Sequence, residues 1–464
     1  MKKLFILLLV AGLLLSSCDS ADTSSKDMVS DTSDTSAESS VVSETESSPA
    51  VIEKDYPHVI GTFIQPYLFA DSTQQIWENH FDGLLEAGID IVIIQWAAET
   101  PYSKFKSVYY PSTLANSNKS NEGYSYHPYC IERCLAAAEK KGIKVFIGLN
   151  LSDEWWDKAA TDRDWYMSQG DIGNQMANEI YDLYKEKYPN ALYGWYYAWE
   201  LYNVMGRYES QVAEFLNVNL DYLTELDATM PLMLSPFVSK SGSTAVQAGE
   251  QWTKVFAEAN FRDGDIYCCQ DSVGAGHISI DMLDAYYSEL KKACDTEEGL
   301  VFWANNEDFD QSDWSSATIG RFVEQMNISE KYVEEHVTFA YSHYYSPDTG
   351  HAKFHDAYLQ YYNTGVVENY DIPTPTVTYT VSGNNVTFKI TAENSPVGLF
   401  KLYITRTGLN RKVVSLLEYN GSTITINETD SLDGLNANAD ALYSIYVVDI
   451  NGNKSETAKV TIER

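Results

Sequence analysis

The chain is 464 residues long, room for one large domain and smaller companions at ~150 residues per domain. Hydrophobic residues make up 44% of it and aromatics 13%, enough for a sizeable core, and 32 Lys and Arg against 66 Asp and Glu leave a net charge of −34. That field repels nucleic acid and anionic membrane surfaces, so neutral or cationic ligands are expected and nucleic-acid partners are not. Aromatic faces that a core does not use commonly line binding clefts, and 34 tyrosines and 10 tryptophans are available for it.

In chain order, Lys2 and Lys3 precede an apolar run over residues 4–15, the pattern of a secretory signal and too short to span a bilayer. The run ends at Leu15-Ser16-Ser17-Cys18, which resembles a bacterial lipobox. The resemblance implies cleavage before Cys18 and lipidation of its thiol; a plain signal peptide with an incidental cysteine is the alternative. Residues 1–18 are thus read as signal and lipobox, and the protein is expected outside the cytoplasm, anchored at the cell surface by lipid alone. Residues 19–55 are Ser, Thr, Asp and Glu with few large apolar side chains, which predicts a disordered tether.

Residues 56–365 are organised differently. Apolar runs recur near 58–64, 89–94, 144–149, 192–199, 231–234, 265–269, 300–303 and 337–341, each followed by an amphipathic stretch. A run such as Ile91-Val92-Ile93-Ile94 fits a strand covered on both faces, the condition of a parallel sheet. Gly88 and Gly142, ahead of the second and third runs, read as helix C-terminal glycines. Eight β-α units predict a (β/α)8 TIM barrel, with an open doubly wound sheet as the alternative. Gly274-Ala275-Gly276 lacks the third glycine of a dinucleotide fingerprint, because Ser279 stands there.

Residues 366–375, with Pro373 and Pro375, read as a linker. From 376 to 464 the pattern alternates with period two, as in Val377-Thr378-Tyr379-Thr380-Val381, and turn pairs such as Gly383-Asn384 and Asn420-Gly421 separate the runs. This predicts a small all-β sandwich of fibronectin-III or immunoglobulin type. The closing run, 446–453, resembles the penultimate strand and turn of bacterial fibronectin-like modules. The sandwich is expected to carry no catalytic residue, and deletion from about residue 372 to leave a folded barrel. The fold class is therefore α/β, a TIM barrel followed by a β-sandwich. Cys130, Cys134, Cys268, Cys269 and Cys294 fit no zinc spacing and are expected as buried thiols, with no disulfide framework, metal or cofactor.

In such a barrel chemistry sits just past the strand ends. Those ends carry Gln65, Gln95, Trp96, Asn150, Trp199, Gln270, Asp271, Trp303, Asn305, His343 and Tyr344. Planar amides and acids exchange hydrogen bonds with hydroxyls, and aromatic faces cover the C–H face of a sugar ring, so these residues are expected to contact carbohydrate. Three of these sites keep a second reading. Asp271 could orient Glu307 or start a helix, His343 could titrate near neutrality or serve as wall, and Trp155, Trp156 and Trp165 could form a sugar platform or local packing. Glu200 follows the fourth run and Glu307 the seventh, and glycoside cleavage needs one carboxylic acid and one carboxylate.

Glutamates at those two strand ends resemble the large retaining glycoside-hydrolase clan on TIM barrels. The resemblance implies Glu200 as acid/base and Glu307 as nucleophile. It departs from the clan at Trp199, where an asparagine is usual. On that assignment Glu200 should be held protonated by apolar neighbours, and Glu307 kept ionised by Asn305 or Asn306. The block also resembles the bacterial family "domain of unknown function 4434" through Gly61-Thr62-Phe63-Ile64-Gln65, Gly88-Ile89-Asp90, Ile93-Ile94-Gln95-Trp96, Gly194-Trp195-Tyr196, Gln270-Asp271-Ser272-Val273-Gly274 and Trp303-Ala304-Asn305. This implies a glycosyl-hydrolase-like barrel. No G-x-S-x-G, H-E-x-x-H or P-loop occurs, which argues against serine hydrolase, zincin and NTPase chemistry. The expected function is a monomeric surface glycoside hydrolase acting on a polysaccharide or glycoconjugate. A non-catalytic carbohydrate-binding lipoprotein is the alternative.

Overall fold

The computed structural model describes residues 54–115, 124–158, 161–203, 205–409, 411–433 and 440–463. The lipobox with Cys18, and the expected tether up to residue 53, lie outside them. Eight strands follow the eight apolar runs: β1 (Val59–Ile64), β2 (Ile91–Ile94), β3 (Lys144–Gly148), β4 (Leu192–Tyr197), β5 (Leu232–Leu234), β6 (Ile266–Gln270), β7 (Val301–Glu307) and β8 (Glu335–Phe339). All pair in parallel with their sequence neighbours, and β1 pairs β8 to close the barrel. The open-sheet alternative is excluded by that closure.

Helices α1 (Gln74–Glu86), α2 (Cys130–Lys141), α3 (Arg163–Tyr184), α4 (Glu209–Asp227), α5 (Ala245–Phe256), α6 (Leu283–Cys294), α7 (Ile319–Ser329) and α8 (Ala352–Thr364) follow the strands in turn. Gly88 and Gly142 adopt φ of +80° and +77°, which lets α1 and α2 turn into the next strand. Strand periodicity divides the core into two layers. Phe63, Ile93, Phe146, Tyr196, Met233, Cys268 and Val337 fill the barrel interior. Their sequence neighbours Ile64, Val92, Ile94, Val145, Ile147, Trp195, Tyr197, Leu234 and Cys269 pack outward against the helices. Cys130, Cys134, Cys268, Cys269 and Cys294 are buried free thiols.

After the barrel come β9 (Thr376–Ser382), β10 (Asn385–Glu393), β11 (Leu399–Arg406), β12 (Arg411–Ser415), β13 (Thr423–Ser431), β14 (Ala441–Asp449) and β15 (Ala458–Ile462). They form two antiparallel sheets, ordered β9-β10-β13 and β12-β11-β14-β15. Alternate residues such as Phe388, Ile390, Leu402, Ile404, Ile445 and Val447 make a core between them. Residues 54–464 form one compact unit. Phe400 of β11 and Ile450, just after β14, belong to the apolar cluster of the barrel's helices, with Phe400 edge-on to Phe354 of α8 at 5.0 Å. Lys353 of α8 also donates to the Leu417 carbonyl at 2.7 Å. The two parts thus share apolar packing, as the short linker allows, and a deletion from about residue 372 would expose it.

Candidate active site

Period two decides which side chains reach the barrel mouth. In β4 and its extension, Tyr196 and Ala198 face the interior while Tyr197 and Trp199 face the helices, so Glu200 returns to the inner side. In β7, Ala304 faces the helices and Trp303 the interior, so the inner set continues through Asn305 to Glu307. Glu200, just past β4, and Glu307, at the end of β7, thus both belong to the C-terminal end of the barrel, and the charge of Glu200 contributes weakly to the raised pKa of Glu307.

Glu200 is half-buried, and among the described residues no donor is bonded to its carboxyl. Burial alone pushes its pKa up to about 7. Its backbone is fixed by Trp155, whose Nε1 donates to the Glu200 carbonyl at 3.0 Å.

Glu307 is 2% exposed. Its Oε2 accepts one backbone hydrogen bond, from Ala275 at 2.7 Å. Gly274 makes that contact possible: a Cβ there would lie 2.3 Å from the Phe309 carbonyl and 3.1 Å from Glu307 Oε2. Burial, then the charge of Asp271 and more weakly that of Glu200, raise the Glu307 pKa well above the carboxylate range against the pull of Ala275 and Arg321. The expectation that Asn305 or Asn306 keeps Glu307 ionised is corrected. Asn305 Nδ2 donates to Ser235 Oγ at 3.0 Å and Asn306 Nδ2 to Asp271 Oδ2 at 3.0 Å.

Asp271 is fully buried on the helix side of β6, so it does not meet a ligand. Its carboxylate accepts from the Val273 amide, the Glu307 amide, Asn306 Nδ2 and Gln325 Nε2 of α7. Burial raises the Asp271 pKa against the pull of the Asn306, Gln325 and Val273 donors, and its charge in turn raises Glu307. Of its three sequence readings, substrate contact, orientation of Glu307 and helix start, orientation agrees with these contacts. Gln325 has no recognisable signal in the sequence; it also donates to the Glu307 carbonyl at 3.1 Å.

Three other expected contact residues are corrected. Asn150 is 1% exposed and its Nδ2 is spent on Thr100 and on Gln169 of α3. Trp199 is 2% exposed and packs with Trp155, Trp165 and Phe215, so Trp155 and Trp165 are packing rather than platform. Trp303 lies inside the barrel in register with Glu335, the first residue of β8, because β7 runs four residues past the expected end.

The remaining set stays at the mouth. Gln65 is half-buried and accepts from Tyr67 at 2.6 Å, and Gln270 donates to the Ser235 carbonyl at 2.8 Å. Among the described residues, Gln95 Oε1, Asn305 Oδ1 and His343 Nε2 are buried polar atoms without a hydrogen-bond partner. Buried polar atoms are normally paired, so these three are left unsatisfied by the protein, which also shields them from solvent. His343 is wall: its ring lies against Phe339, Tyr344 and Tyr67, and burial pulls its pKa down to about 4. The imidazole is neutral at physiological pH.

Aromatic rings gather in two groups near the strand ends. On the β5–β6 side, Phe237 is sandwiched between Tyr202 at 4.7 Å and His277 at 5.0 Å, with Trp156 against it at 6.3 Å. On the β8–β1 side, Tyr67 meets Trp96 at 6.4 Å, and Tyr344 stacks on Phe309 at 5.5 Å. Trp156 and Tyr67 are 42% and 45% exposed, so these rings remain available.

The barrel is a closed parallel (β/α)8 fold with one glutamate just past its fourth strand and another at the end of its seventh. The chain belongs to the family described as Domain of unknown function (DUF4434), which matches residues 59–351. An assigned alpha-L-fucosidase from Bacteroides thetaiotaomicron VPI-5482 shares the fold with a TM-score of 0.55 at 21% identity, over 68% of this chain and 99% of that one. A GH18 chitinase from Pseudoalteromonas aurantia aligns at 0.40 and 14% identity, over 65% and 98% of the two chains. An alpha-L-arabinofuranosidase from Thermotoga maritima aligns at 0.40 and 10%, over 88% and 94%. Nothing among curated proteins matches the chain.

Proposed function

We propose that the protein is a retaining glycoside hydrolase that cleaves a polysaccharide or glycoconjugate, with Glu200 as acid/base and Glu307 as nucleophile. The carrying observation is that strand alternation brings Glu200 and Glu307 to the inner side of the same barrel end, with burial raising the Glu200 carboxyl to about 7. A protonated Glu200 donates to the glycosidic oxygen as the bond to the anomeric carbon breaks. Glu307 attacks that carbon, and the positive charge developing there stabilises its carboxylate. Water, deprotonated by Glu200, then releases the sugar and restores both groups. The side-chain oxygens of Gln95 and Asn305 would accept from hydroxyls, and the aromatic rings at the strand ends would cover the apolar ring face. The glycosidase names of the structural neighbours agree with carbohydrate as the ligand.

Screening 4-nitrophenyl glycosides and dye-linked polysaccharides, followed by a pH profile on a hit, tests the reading. Turnover requires the pair to hold one proton, wherever it resides. Below about 7 both carboxyls are neutral, so kcat/KM should rise through about 7 and fall only at higher pH, where the raised Glu307 group deprotonates. A profile already falling between pH 5 and 7, the ordinary range for two weakly shifted carboxyls, contradicts it. Saturable glycan binding with no turnover would support the non-catalytic alternative, which a Glu307 protonated in the empty site also favours.

The same proposal places the protein outside the cytoplasmic membrane, held through lipid on Cys18. The support is the basic start, short apolar run and Ser16-Ser17-Cys18 of the sequence. Cys18→Ala should move the protein from the membrane to the soluble fraction, and unchanged membrane association would refute the anchor.

A further inference from the structure

The segment between Glu307 and α7 folds as a hairpin, with Phe309–Asp310 paired to Ser315–Ser316. At its tip Trp314 is 44% exposed and holds φ at +53°, a left-handed conformation that bulky side chains avoid. Its indole lies on Phe309 at 5.9 Å with the planes 8° apart, and Phe309 in turn stacks on Tyr344. The Tyr344 phenol lies within the field of Glu307. One continuous stack therefore leads from beside Glu307 out to Trp314.

The hairpin is tied down on three sides. The Gln311 amide donates to the Gly274 carbonyl at 2.9 Å, in the loop that seats Glu307. Ser316 Oγ donates to the Tyr344 carbonyl at 2.6 Å. The third tie comes from the C-terminal sheets. Lys401 of β11 is only 5% exposed, yet its ammonium reaches Asp313 Oδ2 at 2.8 Å and Ser315 Oγ at 2.6 Å. Those two residues flank Trp314. A buried lysine so placed has its charge answered by the hairpin, which fixes the geometry strictly.

We propose that Lys401 is a positioning residue for the candidate site: from the C-terminal sheets it sets the hairpin so that Trp314 stands as a stacking surface for the apolar face of a sugar ring at the outer end of this ring stack. The stacking part rests on the glycosidase reading; the positioning part does not. Without Lys401 the left-handed tip loses the restraint that holds it, while Phe309 and the barrel strands keep their own contacts. The indole then moves off Phe309 and into solvent.

The test is acrylamide quenching of Trp314 in the full chain, taken as the difference between each protein and its Trp314→Phe counterpart. Lys401→Met keeps the length and apolar stem of the side chain. It should raise the Trp314 quenching constant roughly twofold and shift its emission to the red, as local opening predicts. Asp313→Asn, which leaves the C-terminal core untouched, should do the same, and Lys401→Arg should largely restore wild-type behaviour. On a 4-nitrophenyl glycoside that the wild type hydrolyses, Lys401→Met and Trp314→Ala should each raise KM up to ~10-fold with kcat little changed, the loss of one aromatic contact. Wild-type Trp314 quenching in both Lys401→Met and Asp313→Asn would overturn the positioning role. Altered quenching with an unchanged KM would overturn the stacking role alone, whereas absence of turnover in the wild type bears on the hydrolase reading and leaves the quenching result to decide the positioning.

Discussion

Replacing Glu307 with glycine should lower turnover by roughly 10⁴–10⁶-fold, the scale seen when a covalent nucleophile is removed from a site that works as a unit. The loss should come in kcat, because Glu307 acts at the anomeric carbon only as the glycosidic bond opens. The vacated volume lies between the Ala275 amide and the mouth, and that amide is left facing it. A small anion there gains the hydrogen bond that Oε2 has lost, so azide or formate should restore part of the rate and azide should appear on the sugar product. Glu200→Gln should behave differently. It should cost about 10²–10⁴-fold on poor leaving groups and far less on 4-nitrophenyl glycosides, whose departure needs little protonation. Steady-state rates with both leaving-group classes, with and without azide, separate the two roles. Wild-type rates in both variants on a confirmed substrate would refute the two-glutamate mechanism.

The residues legible in the sequence and those that were not differ for a physical reason. Strands buried on both faces are unbroken apolar runs, so all eight barrel strands can be located from composition alone, and the glutamates follow from their ends. Which side of a strand a residue faces depends on where the strand stops. The seventh run loses apolar character at Ala304, yet β7 continues through Asn305 and Asn306 to Glu307. This continuation buries Trp303 inside the barrel and turns Asn306 toward Asp271. Period two also explains why Trp199, where the hydrolase clan has asparagine, does not remove Glu200 from the mouth: adjacent positions face opposite ways. What stayed hidden is non-local. The charge on Asp271 that raises Glu307 is stabilised by Gln325, 54 positions away, and Trp314 is held by Lys401 from another sheet system. No local pattern marks either partner.

Removing the C-terminal sheets should destabilise the barrel rather than release it. Phe400 and Ile450 are 3% and 0% exposed within the barrel's helical cluster. Burying such side chains contributes about 1.5–3 kcal/mol each, so the two together stand for roughly 3–6 kcal/mol, a large part of the ~5–15 kcal/mol that holds a typical domain folded. The polar ties add to this. Helix α7 has no side-chain cap at Thr318; instead its first amides, Ile319 and Gly320, donate to the Ile450 and Asn451 carbonyls, each at 3.0 Å. Gly320 has no Cβ because one would stand 2.6 Å from the Asn451 carbonyl. Helix-start amides left without acceptors cost about 1 kcal/mol per lost cap. Because α7 carries Gln325, fraying at its start would also loosen Asp271 and, through it, Glu307. A protein ending at residue 371 should therefore be recovered poorly or melt far below the 54–464 chain, with weakened near-ultraviolet circular dichroism from the aromatic cluster around Phe354. Matching melting temperatures and near-ultraviolet spectra for the two lengths would show that the shared packing contributes little, and would make the C-terminal sheets dispensable to the fold.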